Sequence, residues 1–263
     1  MREEMVNWEE ESKRFDEAAD YYDQYRPSYP QALIDKIIGE SKLEDSAQIL
    51  EVGAGSGKAT ALFVDRGYHL TCIEPGANLA AIGEKKFQKT QQVKFITTRF
   101  EHWQEEPDTY DLAISAQSFH WVPKPIGYHK CAKSLKDNRY LCLFWNMYLN
   151  DLSDVGRQLR DVCKDYGVLL LNTKEEIEKR IRTIVQEIED SSVFNIPNVY
   201  QFPWSVDHNV EEFICFLKTG NGYLGLEEDR REELNNQLEQ IFHKAGGMIT
   251  RKFICVLFMA QKK

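Results

Sequence analysis

The chain has 263 residues, 42% hydrophobic and 29% charged, with a formal net charge of −9 at pH 7. This composition excludes a disordered, collagen-like or coiled-coil chain, and the length suits one domain with a modest embellishment. The acidic balance makes the surface a poor bulk partner for DNA or an anionic membrane, because non-specific affinity there comes from Lys and Arg neutralising phosphates.

Residues 1–30 are charged and then aromatic (Phe15, Tyr21, Tyr22, Tyr25, Tyr29), and helical spacing breaks near Pro27. They predict a helix followed by an irregular segment. A second helix is predicted over Gln31–Gly39, opened by Pro30. The pattern then alternates. Strands are predicted at Gln48–Val52, His69–Ile73, Val93–Thr97, Tyr110–Ser115 and Arg139–Trp145, with helices at Lys58–Asp65, Ala77–Phe87 and Pro125–Leu135 between them. Such alternation is the signature of a parallel sheet with helices on both faces, joined by right-handed crossovers.

After Trp145 the alternation fails. Asp151–Tyr166 and Lys174–Asp190 read as charged helices, Val199–Phe202 as a strand, Val210–Lys218 and Glu228–Ala245 as helices, and Thr250–Ala260 as a long apolar strand. The expected fold is α/β, a doubly wound, seven-stranded, mostly parallel sheet with an inserted helical cap. Within one domain overall, the predicted parts are 1–145, 146–198 (the helical insertion or cap) and 199–263 (completing the sheet).

Six cysteines lie mostly in apolar runs, with no C-x-x-C pair and no His at metal-ligand spacing. They read as reduced, buried thiols, and no metal is expected. Met1–Glu11 is polar and acidic, unlike a signal peptide, and no apolar stretch is long enough to span a bilayer. The expectation is a soluble, cytoplasmic protein, monomeric or homodimeric, without a membrane partner.

The sharpest motif is Glu51-Val52-Gly53-Ala54-Gly55-Ser56-Gly57-Lys58, between a strand and a helix. Glycines there permit a tight turn and let a ligand press against backbone. A triphosphate loop would need glycine at position 52 and Ser or Thr at 59, where Val52 and Ala59 stand. A dinucleotide fingerprint would need a small residue at 58, where Lys58 stands, although Glu74 is correctly distant for a ribose acid. That reading survives as a relaxed variant, a dinucleotide-dependent oxidoreductase.

The third reading rests on resemblance. Glu51, Gly53, Gly55 and Gly57 match every fixed position of E/D-x-G-x-G-x-G, and the chain resembles the class I S-adenosylmethionine-dependent methyltransferases of the type 11/25 kind. Ala116-Gln117-Ser118-Phe119-His120-Trp121 and Tyr25-Arg26-Pro27-Ser28-Tyr29-Pro30 are similar to the small-molecule subgroup that includes trans-aconitate methyltransferase. The resemblance implies a Rossmann-like fold, S-adenosylmethionine as cofactor, and methyl transfer to a small-molecule acceptor by in-line displacement. It makes 1–145 the N-terminal segment and the cofactor-binding half.

The resemblance also implies site residues. Glu74 would hold the ribose, followed by Pro75, with Ala54 and the loop glycines beneath the nucleoside. Phe100 and Glu101 would stand at the adenine, beside Arg99, which replaces the acid usual there. Ala116 and Gln117 follow the fourth strand. Tyr25 and Arg26 would grip the cofactor's carboxylate or the substrate, or else cap the entry segment. His120 follows the fourth strand's carboxyl end, where open α/β sheets bind ligands, and is the candidate base or else a structural histidine. Trp121 and Tyr223 are substrate-side candidates, and His208 and Trp204 could line the cap; for each of these, plain packing is the alternative. No D/N-P-P-Y/F motif, Pro-Cys nucleophile or basic stripe is present, so a nucleic-acid partner is not expected. A cofactor-binding protein without catalysis remains open.

Overall fold

The computed structural model describes Asp16 and residues 18–169 and 171–263; Met1–Glu11 and Phe15, read above, lie outside the described residues. Helices α1 (Ala19–Tyr25) and α2 (Gln31–Ser41) lead into β1 (Gln48–Val52). There follow α3 (Lys58–Val64), β2 (His69–Glu74), α4 (Ala77–Phe87), β3 (Val93–Thr97), β4 (Tyr110–Ala116), a 3-10 turn over Phe119–Trp121, α5 (Lys124–Ser134) and β5 (Leu135–Tyr148). The remainder is α6 (Asp154–Asp165), α7 (Lys174–Asp190), β6 (Asn198–Asn209), α8 (Val210–Leu217), α9 (Asn221–Leu224), α10 (Glu228–Lys244) and β7 (Met248–Gln261).

The seven strands form one sheet in the order β3-β2-β1-β4-β5-β7-β6. The first five pair parallel, and β7 runs antiparallel to both of its neighbours. This is the doubly wound, mostly parallel sheet the sequence predicts. The central strands are apolar throughout because both their faces are covered. Leu50, Val52 and Ala113 point to the face packed by α5 and α7, while Ile49, Leu112 and Ile114 point to the face packed by α2 and α3.

Two strands run to at least twice their predicted length. The strand predicted at Val199–Phe202 continues to Asn209 through Pro203. β6 is an edge strand, and a proline there need not sacrifice a ladder hydrogen bond. The strand predicted at Arg139–Trp145 spans Leu135–Tyr148, beginning beside a register shift between Tyr110 and Leu112.

The helices beyond β5 divide by tertiary packing. Leu159 and Cys163 of α6 share a separate cap core with Phe213 and Phe216 of α8 and Leu234 and Leu238 of α10. Helix α7 instead lays Ile177, Ile184 and Ile188, spaced i, i+7 and i+11, on the sheet. Its start is fixed by a capping box between Thr173 and Glu176. Among the described residues no helix is long and apolar enough to cross a membrane.

Candidate active site

The order of strands reverses between β1 and β4, and a cavity of about 460 Å³ opens at their carboxyl ends, the usual place for ligands in such sheets. That volume is in the range of small-molecule sites.

One wall is the glycine loop. The N–H groups of Gly53 and Ala54 donate to the Ile73 carbonyl at 2.8 and 3.2 Å, which holds the loop against β2. Gly53 and Gly55 both have left-handed φ, +70° and +57°. A side chain at Gly53 would collide with Ser118, whose hydroxyl donates to the Val52 carbonyl at 2.7 Å. A side chain at Gly55 would meet only Tyr22, 3.8 Å away, so the face above position 55 is open for a ligand.

Glu74 closes the next wall. It is buried and lines the cavity. One carboxylate oxygen accepts the Gly55 N–H at 2.7 Å and the other accepts the Gly76 N–H at 2.8 Å. Each oxygen keeps a further lone pair, enough for a vicinal diol. Burial raises its pKa to about 7 despite those two donors.

Glu51 is completely buried at the base. Its Oε2 accepts from Thr60 Oγ1 at 2.6 Å, and its Oε1 has no partner. Burial raises its pKa to about 8. A buried, unpartnered acceptor at a cavity wall suits an ammonium group. Arg26 faces the same space. It donates to Tyr148 Oη and to the Thr219 carbonyl, both at 3.0 Å, and its Nε is without a partner.

Phe100 and Glu101 also line the cavity. Phe100 stacks on Trp103 with centroids 5.6 Å apart, and Glu101 accepts from Arg99 at 3.4 Å. Pro75, Ala54, Ala116 and Gln117 line it as well. Gln117, at φ +63°, accepts the Asn146 N–H at 3.0 Å. Gly57 does not line the cavity; it caps α3 at φ +80°.

At the far end stand His120, Trp121, Trp145 and Arg180. Trp145 Nε1 donates to His120 Nδ1 at 3.4 Å. An indole N–H can only donate, so Nδ1 is the acceptor and Nε2 carries the imidazole proton. Desolvation, with the nearby charges of Arg180 and Lys124, lowers the His120 pKa to about 4. The ring is therefore neutral near pH 7 and presents a donor.

Several sequence candidates fall elsewhere. Tyr25 stacks on Tyr21, 6.2 Å between centroids, and packs against the cap core. Tyr223 is buried in that core and donates to Asn235 at 3.2 Å. His208 is buried against Phe213 and Phe216. Trp204 stands behind the cavity wall, where it donates to Asn146 Oδ1 at 3.0 Å. Conversely, Tyr22, Asn146, Tyr148 and Arg180 line the cavity without having been singled out for it. Tyr22 stands one helical turn before Arg26, and Asn146 and Tyr148 end β5, so a signal existed for those three. Arg180 carries none, because α7 reaches the cavity only by tertiary packing. Among the described residues, no group of three or more His, Cys, Asp or Glu is placed to hold a metal.

A seven-stranded sheet with a glycine loop and a strand-end acid at its switch point defines a nucleoside-binding α/β enzyme. Comparison with known proteins narrows the class. A family profile described as a methyltransferase domain matches residues 22–177. The chain is 24% identical over 221 residues to "Uncharacterized methyltransferase-like C25B8.10" of Schizosaccharomyces pombe, covering 84% of this chain and 82% of that one. It is 29% identical over 265 residues to "Probable S-adenosylmethionine-dependent methyltransferase CRG1" of Saccharomyces cerevisiae, covering 88% and 90%. A solved structure from Anaeromyxobacter dehalogenans, described as a candidate type II methyltransferase, shares the fold with a TM-score of 0.66 at 16% identity, covering 89% and 97%. The chain belongs to the methyltransferase-domain family, and its class is the S-adenosylmethionine-dependent one. The oxidoreductase alternative gains no support.

Proposed function

We propose that this protein transfers a methyl group to an already ionised oxygen of a small organic acid. The observation that carries the reading is the pairing of His120 and Arg180 in the cavity lining, with Nδ1 of His120 occupied by Trp145 so that the imidazole keeps only its Nε2–H to offer. Such a lining holds an anion and offers no base to remove a proton.

The near end would take the cofactor. Glu74 would take the ribose diol, over the open face of Gly55. Phe100 would supply an apolar wall for adenine and Glu101 an acceptor for its amino group, with Pro75, Ala116 and Gln117 completing the enclosure. The unpartnered Glu51 Oε1 would receive the ammonium of the methionine moiety, whose positive charge would draw the buried carboxyl into its ionised form, and Arg26 would take the carboxylate. Tyr22 would cover the loop. When bound, S-adenosylmethionine supplies an electrophilic methyl whose carbon–sulfur electron pair remains on sulfur as the acceptor oxygen forms the new bond, so no proton moves. The protein's contribution is alignment, which reaches about 7–11 kcal/mol in well-oriented systems. His120 and Arg180 would hold the acceptor carboxylate in place, and Trp121 would wall it.

The test is methyl transfer from radiolabelled cofactor to panels of carboxylic acids, phenols and amines. The expected product is a base-labile methyl ester, which releases volatile methanol. Base-stable label on a phenol, an amine or carbon, with no ester formed, would overturn the reading.

A further inference from the structure

Beside the main cavity lies a second, smaller and partly open chamber of about 130 Å³, lined by the turn after β4, α5, α7 and β5. The two share His120, Trp145 and Arg180 as lining, so they adjoin across a partition made by these residues. The interior is apolar: Phe119, Tyr128, Trp145 and Ile184. The first three are almost wholly buried, and the Phe119 and Tyr128 rings pack with centroids 5.0 Å apart. Polar groups stand at the rim, where Lys124 and Glu187 satisfy each other in an ion pair. An unfilled recess floored by apolar side chains favours an apolar guest, because filling it removes that surface from water. A cavity of about 150 Å³ holds one benzene ring.

We infer that the side chamber receives the apolar tail of the acceptor, a single ring or a chain of about four to six carbons, while its carboxylate stays in the main cavity at His120 and Arg180. This inference rests on the reading of the acceptor as an acid. The partition supports it. A cation and a hydrogen-bond donor at the mouth of an apolar chamber match a molecule with an anionic head and a short hydrocarbon tail. Its volume also sets an upper length, since about 130 Å³ takes no more than such a tail.

Straight-chain carboxylic acids from two to ten carbons test this with the full-length protein and S-adenosylmethionine. Burial of each methylene is worth about 0.8 kcal/mol, so kcat/KM is expected to rise about fourfold per carbon, level off near six or seven, and then fall. Ile184→Trp fills the chamber and is expected to reduce the preference for hexanoate over acetate at least tenfold. Ile184→Ala enlarges it and should move the optimum one or two carbons longer, which keeps the test open if the tryptophan variant does not fold. Calorimetric binding of S-adenosylhomocysteine reports whether each variant is intact. Acids methylated at rates independent of length, or an optimum unmoved by either folded variant, would overturn the chamber assignment alone. Cofactor binding without methylation of any acid would overturn the acid reading and this inference with it.

Discussion

Two buried carboxylates govern the near end of the cavity, and their chemistry is set by burial more than by charge. Glu74 joins the Gly55 and Gly76 amides, so it both shapes the loop and faces the ligand. Glu74→Ala is expected to weaken cofactor binding ten- to a hundredfold in calorimetry, since a carboxylate hydrogen bond is worth about 1.5–3 kcal/mol and the loop loses its tie. Glu51 carries a distinct signature in pH. Its folded pKa, near 8, lies above the unfolded value, so the folded state binds the extra proton between about 4.5 and 8. Its contribution to stability is therefore full below the unfolded pKa and is lost as pH rises through 8. Urea unfolding of Glu51→Gln should show a flatter decline from pH 5 to 8.5 than the parent. The donor role of His120 separates from a base role by substitution. His120→Gln, which keeps an N–H, should retain more of kcat/KM than His120→Ala, which should lose about tenfold. The rate should show no ionisation of His120 between pH 5.5 and 8, because its pKa is near 4.

At the scale of elements, helix α1 crosses the glycine loop and is tied there by polar contacts to α3 and α4. Lys86 pairs with Asp23 at 2.6 Å and also donates to the Ser56 carbonyl at 2.9 Å, while Lys58 donates to the Asp23 carbonyl. Asp16 accepts the Asn78 and Leu79 N–H groups at 2.9 and 3.0 Å at the start of α4. A partly exposed ion pair contributes about 1 kcal/mol or less. Lys86→Ala should thus quicken hydrogen exchange in Ala19–Tyr25 and raise the cofactor's off-rate a few-fold, measured by stopped flow. The loop beneath is less forgiving. Much of it was readable, since only a residue tolerant of positive φ fits, but the collision with Ser118 arises from the turn after β4, sixty-five residues further on. Gly53→Ala is expected to cost about 1–3 kcal/mol in urea unfolding.

Across the whole molecule the cap is a second packing unit with an unusual centre. Arg251 is buried among Tyr148, Phe213, Phe216 and Phe253, the closest ring centroid 4.1 Å from its guanidinium carbon, and both terminal nitrogens lack hydrogen-bond partners. Burial lowers its pKa to about 10, still leaving it charged near neutrality. A buried charge without a counter-ion opposes folding, and aromatic faces offset only part of that. Arg251→Met, which packs well against rings, should raise stability by about 1–3 kcal/mol in urea unfolding.

The order of strands and helices through β5, the glycine loop and the acid at position 74 were all fixed by local sequence. Apolar period, turn residues and strand-end placement act within a few residues of chain, and each left its mark there. The length of β6 was hidden because Pro203 reads as a stop unless its strand is known to be an edge. The composition of the cap, the arrival of α7 at the cavity and the withdrawal of Tyr25 and Tyr223 from it were decided by tertiary structure alone. So was the proton on His120, because the indole that takes its other nitrogen lies twenty-five residues further on. Which surfaces meet across the sheet depends on burying every apolar face at once, a condition no short stretch of sequence contains.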